Sequence, residues 1–118
     1  MQFFVKVARS FRCAWRGLTL AARGRNFRIM LVVALAVIAL GVIVGVSRTS
    51  WAILLVCIAG VLAGEAMNTA IERLADQIEQ RYDQSIGDIK DLAAGAVLLG
   101  SGIAALVGVV VFWPYVIG

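Results

Sequence analysis

Three long apolar stretches, about Ile29 to Val46, Trp51 to Ile71 and Leu92 to Val116, decide what this chain of 118 residues can fold into. Each is long enough to cross about 30 Å of hydrocarbon as a helix. The composition agrees: 62% of the residues are hydrophobic, 15% are charged and the mean hydropathy is +0.95, outside the usual range of a soluble domain. Only Ser47-Arg48-Thr49-Ser50 separates the first two stretches, so these spans must form a tight hairpin. The expected fold is an all-α membrane protein of three transmembrane helices (29–46, 51–71 and 92–116), preceded by a surface helix (1–28), in one domain covering 1–118.

Charge placement orients the chain. Lys6, Arg9, Arg12, Arg16, Arg23, Arg25 and Arg28 precede the first span, and no Asp or Glu occurs before Glu65. The positive-inside rule puts the N-terminus in the cytoplasm of a multi-pass plasma-membrane (inner-membrane) protein. The Arg48 loop then faces outward, and the segment from Arg73 to Asp91 returns to the cytoplasm. A signal peptide is a poor reading, because about 28 residues precede the first long apolar run and no A-x-A-like site follows it. Cys13 and Cys57 lack a C-x-x-C pairing and read as free thiols.

Within the first 28 residues, Phe4, Val7, Phe11, Trp15 and Leu18 recur every three or four positions, with Lys6, Arg9, Arg12 and Arg16 mostly on the other side. That pattern predicts an amphipathic helix lying at the acyl boundary, its cations meeting headgroups or phosphate. A plain membrane anchor is the alternative. Gly24-Arg25-Asn26 marks the turn into the first span. Gln80 to Asp91 reads as a polar cytoplasmic connection, Pro114 as a close or kink of the third span, and Trp51, Trp113 and Tyr115 as outer interfacial aromatics. Small residues recur at four-residue steps: Gly41 with Gly45, Gly60 with Gly64, and Ala96, Gly100, Ala104 and Gly108. Such ridges let helices approach closely in lipid. Three spans make a thin bundle that does not easily surround polar groups, so self-association is expected.

The polar groups in question form a ladder in the second span. Glu65, Asn68, Glu72 and Asp76 are spaced by three, four and four residues, which brings them within an arc of roughly 80° on a helix. An acid at membrane depth costs at least about 2.5 kcal/mol, so Glu65 is a functional candidate; an inter-helix hydrogen bond that only fixes assembly is the alternative. The chain has no histidine, which excludes a Ser-His-Asp arrangement and an imidazole zinc site. It also lacks a phosphate loop, a dinucleotide-binding turn and a nucleophile elbow. Carboxylate and amide oxygens suit a hard cation such as Mg²⁺, which shares its shell with phosphate. Since Glu65 lies about 10 Å deeper than Glu72 along a helix, the ladder runs from lipid depth to water. That suits transfer from a soluble phosphate donor to a lipid, with Glu65 at the acceptor hydroxyl and Asn68 and Glu72 at metal and phosphate. A second cluster, Lys90-Asp91, precedes the third span: Lys90 can neutralise phosphate charge, or simply snorkel with Asp91 as its partner. For Glu72 the competing reading is a pair with Arg73 or Arg16.

Glu65-Ala-Met-Asn68-Thr69-Ala70-Ile71-Glu72 with Asp76, and Lys90-Asp91-Leu-Ala-Ala-Gly-Ala-Val97, resemble the prokaryotic diacylglycerol kinase and undecaprenol kinase family. Ala14-Trp15-Arg16-Gly17-Leu18 and Arg25-Asn26-Phe27-Arg28-Ile29 are similar to it as well, so the resemblance covers nearly the whole chain. It implies a homotrimer with sites shared between subunits, which transfers the γ-phosphate of ATP to a lipid hydroxyl with Mg²⁺. It also implies Glu65 as catalytic base, Asn68 and Glu72 at the metal, and Asn68, Asp76, Lys90 and Asp91 on the nucleotide side. Lys6, Arg9, Arg16 and the more loosely matched Tyr82 join that nucleotide side. Two places depart from the family: Gly24 stands where many relatives carry a metal-binding glutamate, and Met30 where many carry a histidine.

The expected function is therefore an ATP- and Mg²⁺-dependent lipid kinase. Undecaprenol is slightly favoured as acceptor by Asn68-Thr-Ala-Ile-Glu, Asp91-Leu-Ala-Ala-Gly-Ala-Val and the terminal Val-Phe-Trp-Pro, with diacylglycerol a close second. Its partners are a membrane lipid, ATP and copies of itself, with no nucleic acid. A small ion or proton transport subunit using Glu65 and Glu72 is the alternative, and a structural adapter is a third.

Overall fold

The computed structural model describes residues 1–81 and 83–118. Four helices follow one another: α1 (Gln2–Ala21), α2 (Arg25–Val44), α3 (Arg48–Ile78) and α4 (Gln84–Ile117). Among the described residues there is no strand, and α2, α3 and α4 are long and apolar enough to cross a membrane. α3 is the central element; it packs at greatest length on α4, less on α2, and touches α1.

The molecule is a slab. Its extents are 53 × 48 × 20 Å, and 20 Å is about two helix diameters. The radius of gyration, 17.7 Å, exceeds the roughly 13 Å of a compact domain of about this size. Small side chains make up much of the little that is buried: Ala21, Ala34, Ala75 and Ala93, with Phe27 and Leu54 as the larger members. Most large apolar side chains face outward, which water would penalise and lipid does not.

The helices run past the apolar stretches, and local chemistry explains where they stop. Gly24 starts α2 in an extended conformation, and Arg28 Nε donates to the Ala22 carbonyl at 2.7 Å, tying the end of α1 to the first turn of α2. Gly45 ends α2 with φ +76°, and the N–H groups of Gly45 and Val46 both reach Gly41 O, an arrangement that favours glycine. The hairpin is tighter than the four-residue loop expected, because Ser47 Oγ accepts from Ser50 N at 3.1 Å and α3 already begins at Arg48. Gln80 to Asp91 is not all connection either. Asp83 Oδ1 accepts from Ser85 N and Ile86 N, Gln84 Nε2 donates to Asp88 Oδ1 one turn on, and 84–91 is the first part of α4. Pro114 does not close α4, which continues to Ile117; so near the end, its missing N–H leaves only one helical bond unmade.

Glycine matters most where α2 meets α3. A methyl group at Gly41 would lie 2.9 Å from Trp51 Cη2, too close for the indole to stay. Overpacking of this kind costs about 1–3 kcal/mol. Gly41→Ala is expected to destabilise the protein by that amount in detergent, read by circular dichroism on heating; an unchanged midpoint would show that the hairpin adjusts freely. The other ridges behave differently. Nothing lies within 4 Å of a methyl group built at Gly60, Gly64, Gly100 or Gly108, so they bring no helices of this chain together.

Candidate active site

One face of α3 organises the site. Leu54, Ile58, Val61, Glu65, Asn68, Glu72 and Asp76 follow one another at spacings of four, three, four, three, four and four, the repeat of a single helical stripe. The outer half is oily and the inner half acidic.

The oily half floors a crevice of about 670 Å³ between α2, α3 and α4. Leu54, Ile58 and Val61 line it from α3, Met30 and Val33 from α2, and Phe112 from α4. It extends on α4 from Ser101 to Val116, about 22 Å at helical rise. Met30 is part of this apolar wall.

The acidic half begins one turn below. Glu65 and Asn68 are buried, 5% and 7% exposed, whereas Glu72 and Asp76 are exposed. Within one chain the helices thus cover the Glu65–Asn68 half of the stripe and leave the Glu72–Asp76 half open. The Asn68 side chain sits between two carboxylates: its Nδ2 donates to Glu72 Oε1 at 3.1 Å, and it is also the hydrogen-bonding neighbour of Glu65. Glu72 therefore takes its hydrogen bond from Asn68, and the competing reading, a pair with Arg73 or Arg16, is not met among the described residues. Asn68 Oδ1 is buried with no partner. Among the described residues, no three Asp, Glu, Cys or His side chains converge on one point.

Lys90 does not pair with Asp91. Its ammonium reaches across the turn to Asp76 Oδ1 at 2.5 Å, joining the two clusters into one. The side chains are 38% and 60% exposed, so the pair contributes at most about 1 kcal/mol; it sets register more than stability. Asp91 is exposed, one residue further along α4. Lys6, Arg9 and Arg16 project from α1, all exposed and in no ion pair among the described residues. The structure does not bring them to the acidic row within one chain. Tyr82 lies outside the described residues.

Ser101 escaped the sequence reading. From Leu92 to Phe112 it is the one polar side chain in the stretch, a signal hidden by the small-residue ridge on either side. Eleven residues separate Asp76 from Glu65, and eleven separate Lys90 from Ser101. On antiparallel helices joined at Asp76–Lys90, Ser101 thus stands at the depth of Glu65, about 16 Å from the pair. Its Oγ is buried without a partner.

These features define an integral-membrane protein in which an apolar crevice is followed along one helix by an acidic row, buried at Glu65 and Asn68 and open at Glu72 and Asp76. The chain belongs to the prokaryotic diacylglycerol kinase family, whose sequence profile matches residues 12–112; this is a family of membrane lipid kinases. It is 36% identical over 107 residues to the undecaprenol kinase of Bacillus subtilis, covering 90% of this chain and 87% of that protein. It is 39% identical over 101 residues to a diacylglycerol kinase of Synechocystis sp., covering 84% of this chain but 58% of that longer protein.

Proposed function

We propose that the protein phosphorylates the primary hydroxyl of a membrane lipid with ATP and Mg²⁺, undecaprenol first and diacylglycerol next. The single observation that carries this reading is the α3 face itself, where the side chains that line the apolar crevice as far as Val61 are followed one turn on by Glu65, then Asn68, Glu72 and Asp76. With Trp51 at the outer interface, 30 Å of hydrocarbon ends about twenty residues on, near Ile71. Glu65 then lies about 9 Å inside the inner boundary and Glu72 at it. The lipid chain occupies the crevice and its hydroxyl meets Glu65. Glu65 takes the hydroxyl proton while the lipid oxygen bonds to the γ-phosphorus; the bond from that phosphorus to the bridging oxygen breaks and ADP leaves. Such chemistry is mostly positioning and charge neutralisation.

The residues present fit Mg²⁺ bound chiefly through phosphate. Asn68 Oδ1 is a buried oxygen lacking a donor and Glu72 is an exposed carboxylate beside it; a cation of this kind usually takes one or two carboxylates plus phosphate oxygens. When bound, it supplies charge neutralisation for the transferring group. Lys90, held by Asp76, offers a cation at the phosphates, with Asp91 at the nucleotide, and Tyr82 belongs to that side by motif. Lys6, Arg9 and Arg16 join from α1, which lies along the cytoplasmic surface. They serve a neighbouring subunit's site in a homotrimer, for which the open ridges at Gly60–Gly64 and Gly100–Gly108 are the packing surfaces.

The test is transfer of radiolabelled γ-phosphate to undecaprenol and diacylglycerol, side by side, by purified protein in mixed micelles. Labelling of either establishes the kinase, and the ratio ranks the acceptors. No labelling of any lipid would overturn this function and leave ion transport through the acidic row as the reading.

A further inference from the structure

We propose that Ser101 reads the acceptor when that acceptor is a glycerolipid, donating a hydrogen bond to an ester carbonyl beside the lipid hydroxyl and so favouring ester-linked over ether-linked glycerolipids, while undecaprenol is taken without this bond. The inference rests on the lipid-kinase reading and extends it to a residue and a substrate feature. It begins with an anomaly. A serine inside a helix commonly turns back to the carbonyl four residues before it, yet Ser101 Oγ has no partner of any kind and is shielded from solvent. An unmade bond at a buried hydroxyl is costly, and a ligand oxygen that makes it gains correspondingly.

Position identifies the oxygen. Ser101 belongs to the lining of the crevice, among side chains that are otherwise almost wholly apolar, with its Oγ turned in from the surface. By the Asp76–Lys90 register it stands level with Glu65, where the acceptor hydroxyl is placed. A group bonded to Ser101 must therefore lie within a few bonds of the reacting oxygen. In a diacylglycerol the neighbouring ester carbonyl is there. A prenol offers only hydrocarbon. Since a serine hydroxyl turns about one χ1 bond, it reaches the crevice without movement of α4. A site built to bond an oxygen discriminates against an analogue lacking it more strongly than any apolar wall does.

Three acceptors decide the matter: dioleoylglycerol, its diether analogue dioleylglycerol, which differs by the carbonyl oxygens, and undecaprenol. The wild type is expected to use the ester about tenfold better than the ether in kcat/KM. Ser101→Ala removes that preference and leaves undecaprenol within about twofold, and Ser101→Thr keeps the preference. An ester-to-ether ratio unchanged in Ser101→Ala overturns the proposal, as does an equal loss on all three lipids, which would assign Ser101 to helix packing. Retention of the two glycerolipids by detergent-solubilised protein without ATP, read by native mass spectrometry, gives the same comparison apart from catalysis. If no lipid is phosphorylated but the ester is retained in a Ser101-dependent way, the kinase reading fails and the assignment of Ser101 stands. Absence of the ester preference from both measurements on the wild type sinks it.

Discussion

Glu65→Gln is expected to lower lipid phosphorylation by about 10²–10⁴-fold, the usual contribution of a positioned general base. Glutamine keeps the size and polarity of the side chain, and a neutral amide at lipid depth is less costly than a carboxylate, so the fold should persist. Glu65 is buried beside Asn68, one turn beyond the crevice-lining Val61 and about three turns from the exposed Asp76–Lys90 pair. Nucleotide affinity should therefore stay within about twofold while kcat collapses, a pattern that marks an interaction made only in the transition state. Measured together, ATP binding by equilibrium dialysis and steady-state transfer separate the two quantities. Normal lipid labelling by the variant would remove Glu65 as base.

Glu72→Gln should act on the metal instead. The side chain is exposed and accepts from Asn68 Nδ2, and with no third acid nearby its carboxylate has no substitute. Its removal is expected to raise the Mg²⁺ concentration for half-maximal activity by roughly tenfold or more, with partial rescue at saturating Mg²⁺, whereas Glu65→Gln leaves that requirement nearly unchanged. The converse substitution is informative. On antiparallel helices with Gly41 against Trp51, Gly24 stands level with Asn68, and a carboxylate there would add an acid at that depth. A side chain at Gly24 meets the Ala21 carbonyl at 3.3 Å, so a small adjustment is needed. Gly24→Glu should then lower the Mg²⁺ requirement. An identical Mg²⁺ titration for wild type, Glu72→Gln and Gly24→Glu would break the metal assignment.

Much of the fold could be read from residue order, because length alone identifies a helix that crosses lipid. The acidic ladder was legible for a similar reason: its spacing is local to one helix. What escaped depends on contacts between helices. Lys90 was read with its neighbour Asp91, yet the partner it takes, Asp76, is fourteen residues away across a turn. Residues 84–91 looked like a loop because they are polar; the Asp83 cap and the Gln84–Asp88 bond make them helical. The division of the ladder, with Glu65 and Asn68 covered within one chain and Glu72 and Asp76 left open, also depends on packing between helices. Ser101 looked like one more small residue until its depth and its missing partner were known.

A single uninterrupted helix carries both the greasy wall of the crevice and the carboxylates beneath it. The two are locked in angular phase like marks on a shaft. Inserting one residue between Leu62 and Glu65 would swing every acid below it by about 100°, leaving composition almost untouched and the reacting groups aimed elsewhere. For this protein, the number of residues between wall and base is as much a part of the chemistry as their identity.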